Sequence, residues 1–336
     1  MVAEVAQSHD GSLGQAHAFI DAAALAGADA IKFQTHIAAA ESTSHEPWRV
    51  KFSRQDDTRY EYWRRMEFSA SHWRDLRDHA SAAGLLFTSS AFSVEAVEML
   101  AEIGMDFWKV PSGEVTSDEL FDAMSRAPRP IAASTGMSSW AECEQLASRL
   151  VDSGEAYAMM QCTSEYPCGA ASVGLNVMQE MARRFGCPVG LSDHSGTIWP
   201  SLAAALLGAE IVEVHLTFHR AMFGPDVPAS VTTDELRLLV EGVRFNEQMQ
   251  QHAVDKDAKA AQLLTTRAIF SKSLVLREPL SADTVLRAEH LLARKPGSGI
   301  PAMQRALVIG RRLRRDMPSL TPLAWTDIAD DADVAS

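Results

Sequence analysis

Two histidines carry the first chemical signal in this sequence. His194 stands in GLSDHSG after the short apolar run 187–191, and His215 ends the run 211–214 within EIVEVHLTFHRAMFGPDVPAS. Each run has the length and composition of a buried parallel strand, and a single helix, expected over 198–207 and closed by Gly208, lies between them. If the two strands are neighbours, both imidazoles emerge at one rim and can share a divalent ion. A lone strand-end histidine is more often a hydrogen-bonded structural residue, so the metal reading depends on what else reaches that rim.

The elements that must position these residues recur along the chain. A helix end, a glycine and a short apolar strand repeat at AGADAIKF (26–33), AGLLFTSS (83–90), IGMDFWKV (103–110), FGCPVGLS (185–192) and LGAEIVEV (207–214). Gly27, Gly84, Gly104, Gly186 and Gly208 suit the left-handed position that closes a helix. With 2–6, 130–134 and 157–162 the count reaches eight strand-then-helix units. The fold class is therefore α/β, a (β/α)8 TIM barrel over residues 1–250.

Such barrels place their chemistry where strands end. Those ends read Glu4, Lys32 with Gln34, Ser89 with Ser90, Lys109 with Ser112 and Glu114, Ser134, Ser164 with Tyr166, Ser192 with His194, and His215. Lys32 and Lys109 supply fixed positive charge. Ser90, Ser112, Ser134 and Ser192 supply short hydroxyl donors, and STGM (134–137) reads as a small-residue turn entering a helix whose amides can hold phosphate. Singly, each has a plain alternative, since strand-end serines cap helices and lysines extend to solvent. A full ring of them is hard to explain as packing and describes a pocket for a small, highly charged phosphate.

The chain of 336 residues, 46% hydrophobic and 22% charged, is long enough for one large domain and a small one. Its formal net charge of −13 argues against nucleic acid or an anionic membrane as partner. No apolar run reaches the length of a membrane span, and no signal segment opens the chain, so a cytoplasmic location is expected. Cysteines 143, 162, 168 and 187 lack zinc-finger spacing and scaffold density, and reduced thiols are expected. Residues 36–68 form a long insertion after the second strand, expected to be a lid, a specificity element or a partner-facing surface. Asp226, in GPDVPAS, falls on the catalytic rim ahead of a last barrel helix expected over 233–248. Beyond it come a polar linker (251–266), a compact domain of short strands (267–326) and an acidic tail (327–336).

VAEVAQSHDG, GADAIKFQT, KVPSGE, STGM, CTSEYP, GLSDHSG, a strand-end histidine followed by GPD, and a late RKPGSGI, in that order, resemble the sialic acid (N-acetylneuraminate) synthase family over essentially the whole chain. The resemblance implies condensation of phosphoenolpyruvate with the open-chain aldehyde of an N-acylated hexosamine, giving a 2-keto sugar acid and phosphate. It implies a divalent ion, Mn2+ or Mg2+, on His194 and His215. Lys32, Lys109, Ser112, Ser134 and Ser192 would cradle the donor, with Ser90 and Ser164 also touching it. Glu4 and Glu114 resemble the family's catalytic carboxylates, and Tyr166, Gln34 and Asp226 those facing the sugar. The C-terminal domain resembles an antifreeze-like (SAF) domain, implying a domain-swapped homodimer in which Lys295 reaches the neighbour's barrel mouth.

The departures fall on the acceptor side. Relatives usually read Asn-His-Asn-Gly at Ser8–Gly11, Asp at His219, His-Lys at Val227-Pro228 and Arg at Lys295, and arginine and lysine are not interchangeable at a bidentate contact. N-acetylmannosamine, a diacetamido trideoxy hexose and an unrelated aldehyde remain alternatives for the acceptor. So do a Schiff-base aldolase using Lys32 or Lys109 and a non-catalytic sugar-phosphate-binding relative.

Overall fold

The computed structural model describes residues 1–329, in two compact units, Met1–Gln251 and a second beginning at His252. The first is the expected barrel. Its strands are β1 (Val2–Glu4), β2 (Ala30–Thr35), β3 (Leu86–Ala91), β4 (Trp108–Val110), β5 (Ile131–Ser134), β6 (Tyr157–Cys162), β7 (Val189–Asp193) and β8 (Ile211–Thr217). Parallel pairing runs in the order β3-β2-β1-β8-β7-β6-β5-β4, so His194 and His215 do end on neighbours. Between β3 and β4 the closure is sparse. Asp106 N donates to Phe87 O at 3.0 Å, Thr88 Oγ1 to Phe107 O at 2.7 Å, and Phe87 N to the Asp106 carboxylate at 2.7 Å.

Strand alternation sorts the side chains. Ala3, Ile31, Phe33 and Phe87 face outward and are fully buried against Phe19, Ile20, Trp73 and Leu76 of the helices Leu13–Leu25 and Ala70–Ala82. Each large side chain so buried contributes about 1.5–3 kcal/mol, which leaves the inward positions free of the duty of holding the barrel together. Those positions are polar, and they form the site. A Cβ at Gly190 would stand 2.4 Å from the Ile211 carbonyl oxygen, so only glycine lets β7 approach β8 this closely.

The insertion at 36–68 carries helices Ala38–Glu41 and Arg59–Met66. It has a small core of its own, Ala38, Tyr62, Trp63 and Met66, and Arg65 ties it down through Asp56 at 2.8 Å and Asp10 at 2.6 Å. The second unit pairs Ser273–Leu276 antiparallel with Leu291–Arg294 over a core that includes Leu274, Leu286, Ile300 and Leu313.

Three boundaries differ from expectation. The last barrel helix runs on to Gln251, and the polar stretch read as a linker is helical over Lys256–Gln262 and Leu264–Phe270. Asp327 and Ile328, assigned to the tail, are buried, with Asp327 accepting from Arg315 Nε at 2.8 Å. The rest of the expected tail, 330–336, lies outside the described residues. Among the described residues no helix is long and apolar enough to cross a membrane.

Candidate active site

Four charged side chains meet inside the barrel. Lys32 on β2 is paired with Glu4 on β1 and stands 3.3 Å from Glu213 on β8, while Lys109 on β4 stands 3.4 Å from the same Glu213 oxygen. All four are at most 3% exposed. Glu213 was not among the expected site residues. It hides within the run 211–214 read as apolar, yet it sits two residues before His215, and period-two alternation puts both on the inner face.

Burial pushes Glu4 up to about 7, against the pull of Lys32. Glu213 feels the same burial, but Lys109 and Lys32 overcome it and hold the carboxyl at about 2. Of the two, Glu213 carries the fixed negative charge and Glu4 takes up or releases a proton near neutral pH. Burial alone would lower both ammoniums. Glu213 and Glu4 reverse this for Lys32, whereas Lys109 stays depressed.

Above these charges the hydroxyls gather around one turn. Lys109 Nζ donates to Ser134 Oγ at 2.8 Å, Gly136 N to Ser112 Oγ at 2.9 Å, and Ser192 Oγ to Glu213 at 3.3 Å. A Cβ at Gly136 would lie within 2.8–2.9 Å of Ser164 Oγ, Cys162 Sγ and Ser112 Oγ, so glycine here keeps open a cradle lined by hydroxyls. The STGM turn itself faces this cradle. The helix expected to begin there starts only at Trp140, capped by Ser139. Ser90 Oγ, inward in the Gln34 row, is buried without a hydrogen-bond partner, as is Glu213 Oε2. Ser89, expected beside Ser90 on the rim, bonds Thr35 Oγ1 at 2.7 Å and belongs to the opposite, helix-facing side, because adjacent strand residues alternate.

The imidazoles of His194 and His215 have centroids 5.1 Å apart. His194 Nδ1 lies 2.9 Å from the Thr163 carbonyl oxygen, which fixes the proton on Nδ1 and leaves the lone pair on Nε2, facing the Tyr166 hydroxyl. His215 Nδ1 is buried without a partner. Burial lowers both rings, His194 to about 4 and His215 well below its ordinary value, so both are neutral at pH 7. Neutral, oriented imidazoles with one orphaned nitrogen fit a divalent ion. Among the described residues no group of three or more His, Cys, Asp or Glu side chains is arranged to hold a metal ion, so the remaining coordination positions would fall to substrate or water.

The outer rim is less compact. Tyr166 stacks on His194 at 4.1 Å, with its hydroxyl 3.1 Å from Nε2. Gln34 accepts from Gln7, which also approaches His36. Glu114 is half-buried; burial, then the nearby Glu41, pushes its carboxyl up, and it does not join the Glu4–Glu213 group. His219, two residues past the end of β8, is exposed and accepts from Ala221 N at 3.0 Å. Lys295, in the second unit, is exposed, with its ammonium 5.2 Å from the Phe270 ring centre.

Asp226 is buried, and this pushes its carboxyl up to about 6 despite the opposing pull of Arg49. A carboxyl raised in the folded state contributes stability that is complete below its unfolded value and is lost as pH rises through about 6. Asp226→Asn is therefore expected to abolish a loss on the order of 3 kcal/mol between about pH 4 and pH 6. Thermal midpoints of both proteins across that range check this; parallel curves would contradict it.

Fold and site together describe a parallel barrel whose mouth gathers two buried lysines, a ring of hydroxyls and a pair of neutral imidazoles. Residues 19–255 match the model described as the NeuB family and residues 271–329 that of the SAF domain, and the chain belongs to the NeuB family. It is 31% identical over 317 residues to the N,N'-diacetyllegionaminic acid synthase of Campylobacter jejuni, covering 93% of this chain and 94% of that one. It is 33% identical over 299 residues to the human N-acetylneuraminate-9-phosphate synthase, covering 87% and 81%. The solved N-acetylneuraminic acid synthetase of Leptospira borgpetersenii superposes with a TM-score of 0.68 at 27% identity, covering 79% of this chain and 90% of that one.

Proposed function

We propose that this protein condenses phosphoenolpyruvate with the open-chain aldehyde of an N-acylated amino sugar, giving a sialic-acid-like 2-keto sugar acid and phosphate. The observation that carries the reading is the cradle: two buried lysines, one of them bonded to Ser134, and a glycine turn lined by Ser112, Ser164 and Cys162, the last beside His194 of the neutral imidazole pair. A compact trianion suits that charge and donor set better than a neutral sugar does.

Lys32 and Lys109 offset the donor's charge, and the serine hydroxyls orient its phosphate and carboxylate. When bound to His194 and His215, a Mn2+ or Mg2+ ion supplies Lewis acidity to the aldehyde oxygen. Carbon attack on the aldehyde forms the new C–C bond, and the aldehyde oxygen becomes a hydroxyl as it takes up a proton. C2 of the donor is left electron-poor; water adds there and supplies a proton in return. Glu4, poised near neutrality and hydrogen-bonded to Lys32, takes the water's proton, and phosphate then leaves by C–O cleavage. Glu114 is the alternative proton carrier, and Tyr166, Gln34 and Asp226 face the sugar. Lys32 is disfavoured as an imine nucleophile, because pairing with two carboxylates holds its ammonium up.

The relatives' names support an acceptor of the N-acetylmannosamine or diacetamido hexose type, and their biosynthetic roles support a cytoplasmic location. The SAF match supports a homodimer in which Lys295 caps the partner's mouth, as the resemblance implies. Donor labelled with 18O at the bridging position tests the reaction: released phosphate is expected to carry the label. Label kept in the keto acid would mean P–O cleavage and a different mechanism.

A further inference from the structure

Arg49 lies in the insertion, between its two helices. Its guanidinium carbon sits 4.5 Å from the centre of the Tyr166 ring, and Nη2 is 3.5 Å from Asp226 Oδ1. Tyr166 in turn stacks on His194 and meets His215 edge-on at 5.8 Å. Arginine, tyrosine and histidine thus form one column from the insertion down to the imidazole pair.

The insertion's other engaged cations point elsewhere. Arg59 pairs with Glu46 at 3.1 Å, Arg65 with Asp10 and Asp56, and Lys51 donates to the Asp57 carbonyl at 3.4 Å. Arg59 and Arg65 also lie over rings, Trp63 and Tyr62, but Arg49 differs in that its ring, Tyr166, itself stacks on His194, with the Arg49 side chain 47% exposed and Asp226 beneath it 9% exposed. A single long contact to Asp226 leaves most of the planar fork open. The Asp226 carboxylate also offsets the guanidinium's charge. The pair therefore presents directed N–H donors whose charge is partly offset, which suits a neutral oxygen group and gives a second dianion less advantage than an unpaired guanidinium would.

We propose that Arg49 is a specificity-determining residue of this chain, reading the acceptor sugar by donating from the insertion to an uncharged oxygen group such as an acylamido carbonyl. The inference rests on the condensation proposed above, and it assigns to this chain's own insertion a contact that the resemblance alone would place on Lys295.

Steady-state kinetics of the wild type, Arg49→Ala and Arg49→Lys test it, with phosphoenolpyruvate and a panel of N-acylated amino sugars, each with and without a 6-phosphate. Arg49→Ala is expected to raise the acceptor KM roughly tenfold to a hundredfold, while the phosphoenolpyruvate KM stays within about twofold. Lysine should restore little, because it lacks the stacked fork. The wild type should prefer the sugars without phosphate. An unchanged acceptor KM in Arg49→Ala, a parallel rise in the donor KM, or full rescue by lysine would overturn the assignment and leave the condensation standing. A wild-type preference for phosphorylated sugars would overturn the uncharged-group claim in the same way. A wild type releasing no phosphate with any sugar would overturn the proposed reaction, and this inference with it.

Discussion

Exhaustive chelation is expected to lower phosphoenolpyruvate-dependent phosphate release at least a hundredfold, with Mn2+ or Mg2+ restoring it, and His215→Ala to lower it as far with no ion able to restore it. The size follows from electrostatic stabilisation in a water-poor site, where losing one well-placed group costs about 10²–10³ in rate. His215 is the sharper of the two substitutions. Its Nδ1 is buried with no partner, and its neutral ring offers a lone pair that packing does not use. His194 is already oriented by Thr163, so alanine there would also disturb a structural hydrogen bond. Electron paramagnetic resonance of free Mn2+ gives a readout independent of turnover: the wild type should deplete the free signal and His215→Ala should not. Full activity after chelation, or undiminished Mn2+ uptake by the variant, would remove the metal from this proposal.

The second large effect concerns stability. Glu213→Gln is expected to lower the thermal midpoint by roughly 10 °C. Removing one member of a buried charge pair costs about 3–5 kcal/mol, and a domain of this size moves by about 2–4 °C per kcal/mol. Lys32 and Lys109 would be left facing each other with only Glu4 to offset them. Because Glu213 is held down at about 2 in the folded protein, its contribution is present above about pH 4.5 and lost as pH falls towards 2. The wild type should therefore lose stability in that acid window and the variant should not. Added phosphoenolpyruvate, an anion that replaces the missing charge, should raise the variant's midpoint. A midpoint within about 2 °C of wild type would mean that the lysines do not depend on Glu213.

The barrel was legible because five of its eight strands are announced twice, by the glycine that closes the preceding helix and by an apolar run. The positive φ of Gly27, Gly84, Gly104, Gly186 and Gly208 is that signal in three dimensions. Most mouth residues were legible for the related reason that polar groups at strand ends are few and regularly placed. What escaped has physical causes. Glu213 lies mid-strand, where a charge reads as an interruption of a hydrophobic run unless its pairing with His215 across one residue is noticed. Ser89 was read only as standing with Ser90 at the strand end, since a short strand of small residues such as LFTSS has no alternation to say which of the two faces inward. Arg49 lies in a loop with no period, so its seat on Tyr166, more than a hundred residues away in sequence, depends on packing that no local pattern encodes.

The sparse closure between β3 and β4 gives the barrel the mechanics of a hoop with a single clasp. Everywhere else a ladder of main-chain bonds carries the circumference, whereas here tension passes through one main-chain bond, one threonine hydroxyl and one aspartate. Ser90 stands on one jaw of the clasp and Lys109 on the other, so a molecule held by both would act as a strap drawn across the opening. Slow hydrogen exchange should then report the strap, with the amides of Phe87 and Asp106 tightening most when the donor is present.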